Sequence, residues 1–217
     1  RVAAFQAPWP GGVAVYASPE AQGYRLRGTA RLPATLGVTL DALPPGAGGR
    51  LDHATRLQVR LAAGQLQTIS HLQLLAGGNV AAVQAPNGAW EVLQFERAEL
   101  VAPLTYVLHR LLRGQGGSED AVTQPLPAGA PFVLLDGALA RLAVADDELG
   151  LPLSWRYGPA ARDIGDASYA TTTVAMAGIF RRPLRPAHVR GVRQDGDLLV
   201  RWVRRTRIAG DSWDGLE

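Results

Sequence analysis

The chain has 217 residues, of which 47% are hydrophobic and 19% charged, a balance that suits a folded protein and argues against a disordered tail. All 22 basic residues are arginine, and with 19 acidic residues they leave a net charge of only +3. So small an excess argues against bulk nucleic-acid binding, and we expect no sequence-specific nucleic-acid partner. Cysteine is absent, which excludes disulfide scaffolds, thiolate zinc sites and thiol nucleophiles.

No stretch of the sequence reaches the about 18 consecutive apolar residues of a membrane-spanning helix, so no transmembrane segment is expected. The 25 glycines and 15 prolines favour short strands joined by turns over long helices. Composition therefore predicts a mainly β fold.

Short alternating or apolar runs separated by turn residues predict β-strands through the first half of the chain. The clearest alternation lies in residues 56–61, where Leu57, Val59 and Leu61 are expected to face a core. Residues 65–75 are ambiguous between strand and helix. Further strands are predicted at residues 13–16, 24–31, 35–40 and 79–84.

The firmest local prediction is a β-hairpin over residues 89–113, because both of its arms alternate with a period of two. Pro103 lies near the expected turn, where its missing N–H does least harm. A glycine-rich loop follows, and residues 118–122 permit a short helix with Ser118 as its cap.

A second group of strand-like runs follows this loop. Residues 132–135 and 139–144 flank Asp136-Gly137, a dipeptide typical of hairpin turns, and are expected to pair. Residues 151–157 and 169–179 are also β-like.

The segment 181–186 is rich in proline and arginine and has the composition of a linker between domains. Beyond it, two strand-like runs surround a turn at residues 194–197, and Trp202 lies in the second run. Two strands cannot bury a core alone, so we expect the rest of this domain to lie beyond Glu217. A fibronectin type III-like β-sandwich begins in a similar way.

The predicted organisation has four parts. Residues 1–113 form a β-rich domain, and residues 114–180 form a second β-rich segment that packs on it. Residues 181–186 are the linker, and residues 187–217 are the first strands of a truncated fibronectin type III-like domain.

No motif for catalysis, cofactor binding or metal binding is found, so no residue is assigned to these roles. The four histidines lack the spacing of metal ligands and are expected to be ordinary surface or hydrogen-bonded residues. Asp163 and Asp166 resemble a glycosidase pair only in being two nearby carboxylates, and turn roles are favoured. The acidic run 146–148 is expected to be a solvated turn rather than a calcium site.

An arginine cluster surrounds Trp202 and comprises Arg201, Arg204, Arg205 and Arg207. Arginine beside tryptophan can contact phosphate or a glycan face. Pairing with carboxylates of a neighbouring domain or subunit is the favoured interpretation. Trp213 lies in a polar turn and is the tryptophan least expected in a core.

Several stretches, in order along most of the chain, resemble one family. The most specific runs from residue 108 to residue 119 and reads L-H-R-L-L-R-G-Q-G-G-S-E, with Ser118 where the family more often has threonine. Similar stretches lie at residues 7–16, 93–96, 132–137, 149–156, 182–189 and 202–207. Together they resemble the C-terminal part of the large baseplate "megatron" protein of gene transfer agents and of related siphophage host-specificity proteins.

The resemblance implies hub-like β-barrel or β-sandwich domains followed by a fibronectin type III-like module. It implies a structural component of a phage-like tail tip that closes the tail and contributes to envelope attachment and DNA delivery. Its partners would be other tail and baseplate proteins, copies of itself in a homotrimer, and a glycan or receptor of the host envelope. The particle would assemble in the bacterial cytoplasm. Any glycosidase activity would belong to an upstream barrel, and no cofactor is implied.

Within this interpretation Arg113 is expected to tie the glycine-rich loop to a carboxylate or to carbonyl groups. The candidate interface residues are Arg113, Arg201, Trp202, Arg204, Arg205 and Trp213. Two alternatives remain open. One is a glycan- or receptor-binding module that uses an exposed tryptophan, Trp9, Trp90, Trp155 or Trp213, and the other is a part of a cell-wall polysaccharide hydrolase.

Overall fold

The computed structural model describes residues 1–178 and 183–205, which divide into two compact units, Arg1–Ala177 and Gly178–Glu217. The strands of the first unit are β1 (Val13–Ser18), β2 (Arg25–Ala30), β3 (Leu36–Thr39), β4 (Leu51–Asp52), β5 (Leu57–Ala63), β6 (Val80–Gln84), β7 (Trp90–Ala102), β8 (Thr105–Leu112), β9 (Pro131–Leu134), β10 (Pro152–Pro159) and β11 (Ala170–Ala175). Its α-helix is α1 (His71–Leu75), and the second unit contains β12 (Ala187–Gln194) and β13 (Asp197–Val203).

Six strands close into a β-barrel in the order β8-β5-β3-β9-β6-β7, because β7 pairs back onto β8. The two-residue strand β4 continues the ladder beside β8. The prediction of a mainly β fold with a barrel domain is therefore confirmed. The alternating strand β5 behaves as predicted, since Leu57, Val59 and Leu61 are buried in the barrel core.

Two local features shape the barrel. Gly37 in β3 lies against β5 so closely that a Cβ atom there would collide with the carbonyl of Arg60. The ambiguous segment 65–75 ends in the short helix α1, which starts at a capping box formed by Ser70 and Gln73. The Gln94 side chain holds the end of this helix by donating to the carbonyls of Leu74 and Gly78 at 2.7 and 2.8 Å.

A second, four-stranded antiparallel sheet has the order β11-β10-β1-β2. Its core contains Val15, Ala17, Leu153 and Trp155. Both sheets contain strands from both predicted segments, 1–113 and 114–180. Strand β9 is one of the six barrel strands, and β10 pairs with β1 in the four-stranded sheet. The predicted boundary after residue 113 therefore does not separate one sheet from the other.

The predicted hairpin between residues 132–135 and 139–144 is wrong. Strand β9 has both of its edges occupied, by β3 and by β6, and so offers no place for another strand. Residues 139–144 run instead along the second sheet, where Ala140 bridges to Val2 and the Ala143 N–H donates to the Arg27 carbonyl at 2.9 Å. The local preference of Asp136-Gly137 for a hairpin turn is outweighed by the pairing of β9 with the distant strands β3 and β6.

The hairpin predicted after the linker is confirmed as β12 and β13. Its turn residues Asp195 and Gly196 have φ values of 51° and 92°, the left-handed conformations that two-residue hairpins favour. The fibronectin type III-like character of residues 187–217 stays a prediction, because residues 206–217 lie outside the described part of the chain. Residues 181 and 182 of the predicted linker lie outside it as well.

Candidate functional site

Arg113 of the glycine-rich motif lies inside the molecule. Its side chain is 1% exposed, and that of its partner Glu91 is fully buried. The Arg113 Nε and Nη2 atoms donate to the two Glu91 carboxylate oxygens, both at 2.7 Å. The remaining Nη1 donates to the Pro44 carbonyl. This is a bidentate, charge-assisted arrangement in which each guanidinium nitrogen has an acceptor.

The backbone around Arg113 is tied into the same cluster. Its carbonyl accepts from the Gly49 N–H at 3.0 Å and from the Gln115 Nε2 at 2.9 Å. Gly46 packs so tightly on the guanidinium that a Cβ atom would collide with it. The Val92 N–H donates to the Ser118 hydroxyl at 2.9 Å. The motif thus joins three segments of the chain, 44–49, 91–92 and 113–118, and we call this cluster the arginine brace.

The arginine brace confirms that Arg113 ties its loop to a carboxylate and to a carbonyl. The proposed interface role of Arg113 is corrected, because a side chain that is 1% exposed offers no surface to another molecule. Glu91 escaped sequence reasoning altogether. The available signal was its place on the same face of an alternating strand as Leu93 and Phe95, where a buried carboxylate needs a cationic partner.

The other candidate interface residues belong to the second unit. Trp202 is 60% exposed on β13, on the same strand face as Leu198 and Val200. Arg201 faces Arg190 of β12 directly. Arg204 and Arg205 follow the end of β13, and Trp213 lies outside the described residues. Their interface role stays a prediction.

Asp163 and Asp166 act as turn caps. The Asp163 Oδ1 accepts from the Gly165 N–H at 2.7 Å, and the Asp166 Oδ1 accepts from the hydroxyl and the N–H of Ser168 at 2.7 and 2.9 Å. These bonds, the hydroxyl first, lower the pKa of Asp166 below its ordinary value. Both carboxylates thus accept hydrogen bonds within their own loop, which is the turn role expected from the sequence.

The acidic run 146–148 also has a structural use. Glu148 forms a two-pronged ion pair with Arg27 of β2 and accepts the Ala145 N–H at 2.8 Å. The Ala145 bond, followed by the Arg27 hydrogen bond and charge, lowers the pKa of Glu148. Within residues 1–178 and 183–205, no group of three or more acidic or histidine side chains is placed to share a metal ion.

A cavity of about 540 Å³ lies in the first unit, between residues 2–6 and one face of the four-stranded sheet. Its walls include Phe5, Val15, Trp155 and Val174, and none of its lining residues carries a charge. Sequence reasoning missed it, because a cavity forms only where distant segments meet. The uncharged composition of residues 170–175 was the single local signal.

Residues 34–133 match the family described as Rcc01698-like, C-terminal. The matched stretch begins shortly before β3 and ends within β9, so it includes the strands of the closed barrel. The four-stranded sheet and the hairpin β12–β13 lie outside it. No curated protein matches the chain. No helix in the described ranges is long and apolar enough to cross a membrane.

Proposed function

We propose that the chain is a structural segment of a phage-like tail tip of the gene transfer agent type, without catalysis of its own. The observation that carries the proposal is that the family match coincides with the barrel. The motif that resembles tail-tip proteins lies in the same region and forms the arginine brace.

The physical character of the first unit supports this proposal. A closed barrel has no free edges except at short additions such as β4, which suits a permanent building block. A buried bidentate ion pair specifies one geometry for the segments that it joins, at a cost in desolvation. Such rigidity is useful where identical surfaces must assemble in a fixed arrangement.

In this function the chain closes the tail and contributes to envelope attachment and DNA delivery. Its partners are other tail and baseplate proteins and two further copies in a homotrimer. Exposed Arg201 and Trp202 provide contacts of the kind enriched at protein interfaces.

Immunoelectron microscopy tests this proposal. A short epitope tag is inserted at the exposed turn Asn87-Gly88 of the protein in the bacterium that carries its gene, and released particles are labelled with gold. We expect gold at the tail end of the particles and none on untagged particles. Particles that assemble normally but are unlabelled, or labelled along the head, would contradict the proposal.

A glycan- or receptor-binding module is the second candidate, favoured by the exposure of Trp202 beside Arg201. Saturable binding of the chain to an envelope glycan, lost in Trp202→Ala and retained in Trp90→Ala, would favour it. Trp90 is a suitable control because it is also exposed but lies in the first unit.

A further inference from the structure

The two edge strands of the four-stranded sheet differ in how their outer edges are covered. At one edge, β2 is covered by the loop that carries Ala143 and Glu148, which bond to the Arg27 backbone and side chain. At the other edge, β11 pairs with β10 alone among the described strands. One carbonyl of β11, that of Val174, accepts from the Trp155 indole at 3.1 Å.

Strand β11 also lacks the features that normally protect an edge. Its sequence is A-T-T-T-V-A, with no charge and no proline, and all six residues are exposed. Exposed edges without charges, prolines or bulges are templates for pairing with another strand. Its β-branched residues, four of the six, favour the extended conformation that such pairing needs.

The uncharged cavity lies along one face of β11. Ala170, Thr172 and Val174 line it, whereas Thr171 and Thr173 alternate to the other face of the sheet. Register places Thr172 opposite Trp155 of β10, which also lines the cavity. A strand added beside β11 would lie about 4.8 Å away, and its long side chains would reach diagonally over about 7–8 Å into this space.

The cavity determines the chemistry of the added strand. A charged side chain entering it would lose its hydration without gaining an ionic partner, because no lining residue carries a charge. Large apolar side chains at alternate positions of the added strand would be buried in the cavity, which is favourable, and would leave the threonines of β11 undisturbed.

A second copy of β11 fits this site poorly. Its cavity-side residues Ala170, Thr172 and Val174 are short, so two β11 edges placed side by side would leave both cavities unfilled.

We propose that β11 is a docking site for an extended, uncharged segment of another protein, which adds to the sheet as a fifth strand and places large apolar side chains in the cavity. Main-chain hydrogen bonds hold the segment, and the cavity selects its alternate side chains. This inference does not depend on the proposed tail-tip function.

Peptide binding to the full chain tests the proposal. The probe is a fluorescein-labelled peptide with three leucine-threonine repeats, followed by a glycine spacer and two lysines for solubility. We expect saturable binding by fluorescence anisotropy and slower hydrogen exchange of β11 amides in the complex. No saturable binding would overturn the proposal.

Two variants provide a matched pair. Val174→Glu places a charge on the cavity side of β11 and should weaken binding by more than about tenfold, because the charge is buried beneath the peptide. Thr173→Glu places the same charge on the opposite face and should change affinity by less than about twofold. Equal effects of the two variants would contradict a role for the cavity.

Methylated peptides on the unaltered protein keep the test independent of variant folding. Two probes carry N-methyl groups on one or the other alternate set of amides, and we expect one set alone to abolish binding, since only one set faces β11. Binding of both would show apolar contact without strand addition and would refute the proposal. Self-association of the chain that Val174→Glu abolishes would identify a second copy as the occupant and would equally refute it.

Discussion

At the residue scale, the pairing of Arg113 with Glu91 is the feature that most constrains the barrel. Burying two charges is costly, and the cost is offset only when the geometry is good and the remaining donors are satisfied. Both conditions hold, with two parallel bonds of 2.7 Å and a third bond to the Pro44 carbonyl. Removing one partner leaves the other charge buried and unpaired.

We therefore expect Glu91→Ala to lower the free energy of unfolding by roughly 3–5 kcal/mol, measured by urea denaturation. The matched control is Glu99→Ala, which breaks the exposed ion pair with Arg97 and a longer contact with His109 and should cost about 0–1 kcal/mol. Similar losses in the two variants would show that the arginine brace contributes no more than a surface pair.

At the element scale, the loop that covers β2 is held by the Arg27–Glu148 ion pair. The Ala145 N–H and Arg27 lower the pKa of Glu148 from its ordinary value of 4.5. A carboxyl group whose pKa is lower in the folded state stabilises the fold at pH values above its ordinary pKa. This contribution is lost as the pH falls through the lowered pKa.

Glu148→Gln should accordingly be less stable than the natural sequence at pH 7, and the difference should shrink as the pH falls below 4.5. The measurement is the free energy of unfolding in urea between pH 2 and pH 7. In an Arg27→Ala background the same substitution should show less narrowing, because the ion pair with Glu148 is already absent. If the difference in the free energy of unfolding stays constant with pH, the ionised form of Glu148 does not stabilise this loop.

At the scale of the whole molecule, residues 1–177 contain two hydrophobic cores within one compact unit. Phe95 is fully buried in the barrel core, and Trp155 lies in the core of the four-stranded sheet. Because the chain passes back and forth between the two sheets, the loss of one core removes strands that anchor the other.

We expect the two cores to unfold together. The test uses a variant that keeps only Trp155 among its tryptophans, so that fluorescence reports on the four-stranded sheet. Adding Phe95→Ala should move the fluorescence transition to lower urea. The free energy of unfolding should fall by the roughly 3–5 kcal/mol typical of a large-to-small core substitution. A Trp155 transition that does not move while circular dichroism shows the barrel unfolding would reveal two independently stable domains.

Local patterns determined much of this fold. Alternation with a period of two placed β5 and the β7–β8 hairpin and identified the inward residues of β5, since the periodicity of a strand is contained within the strand itself. The turn Asp195-Gly196 identified the hairpin of the second unit for a similar reason. The motif around Arg113 indicated a tied loop, although not its partner.

The sequence by itself thus determined the mainly β class, most strands and the need of Arg113 for an acceptor. The tertiary structure alone decided which strands meet: that β9 enters the barrel, that β10 joins β1, and that Glu91 meets Arg113. It also created the cavity beside the open edge of β11. The physical reason is that a strand carries the same local pattern whichever neighbour it takes, whereas the choice of neighbour depends on closing the barrel and burying both cores at once.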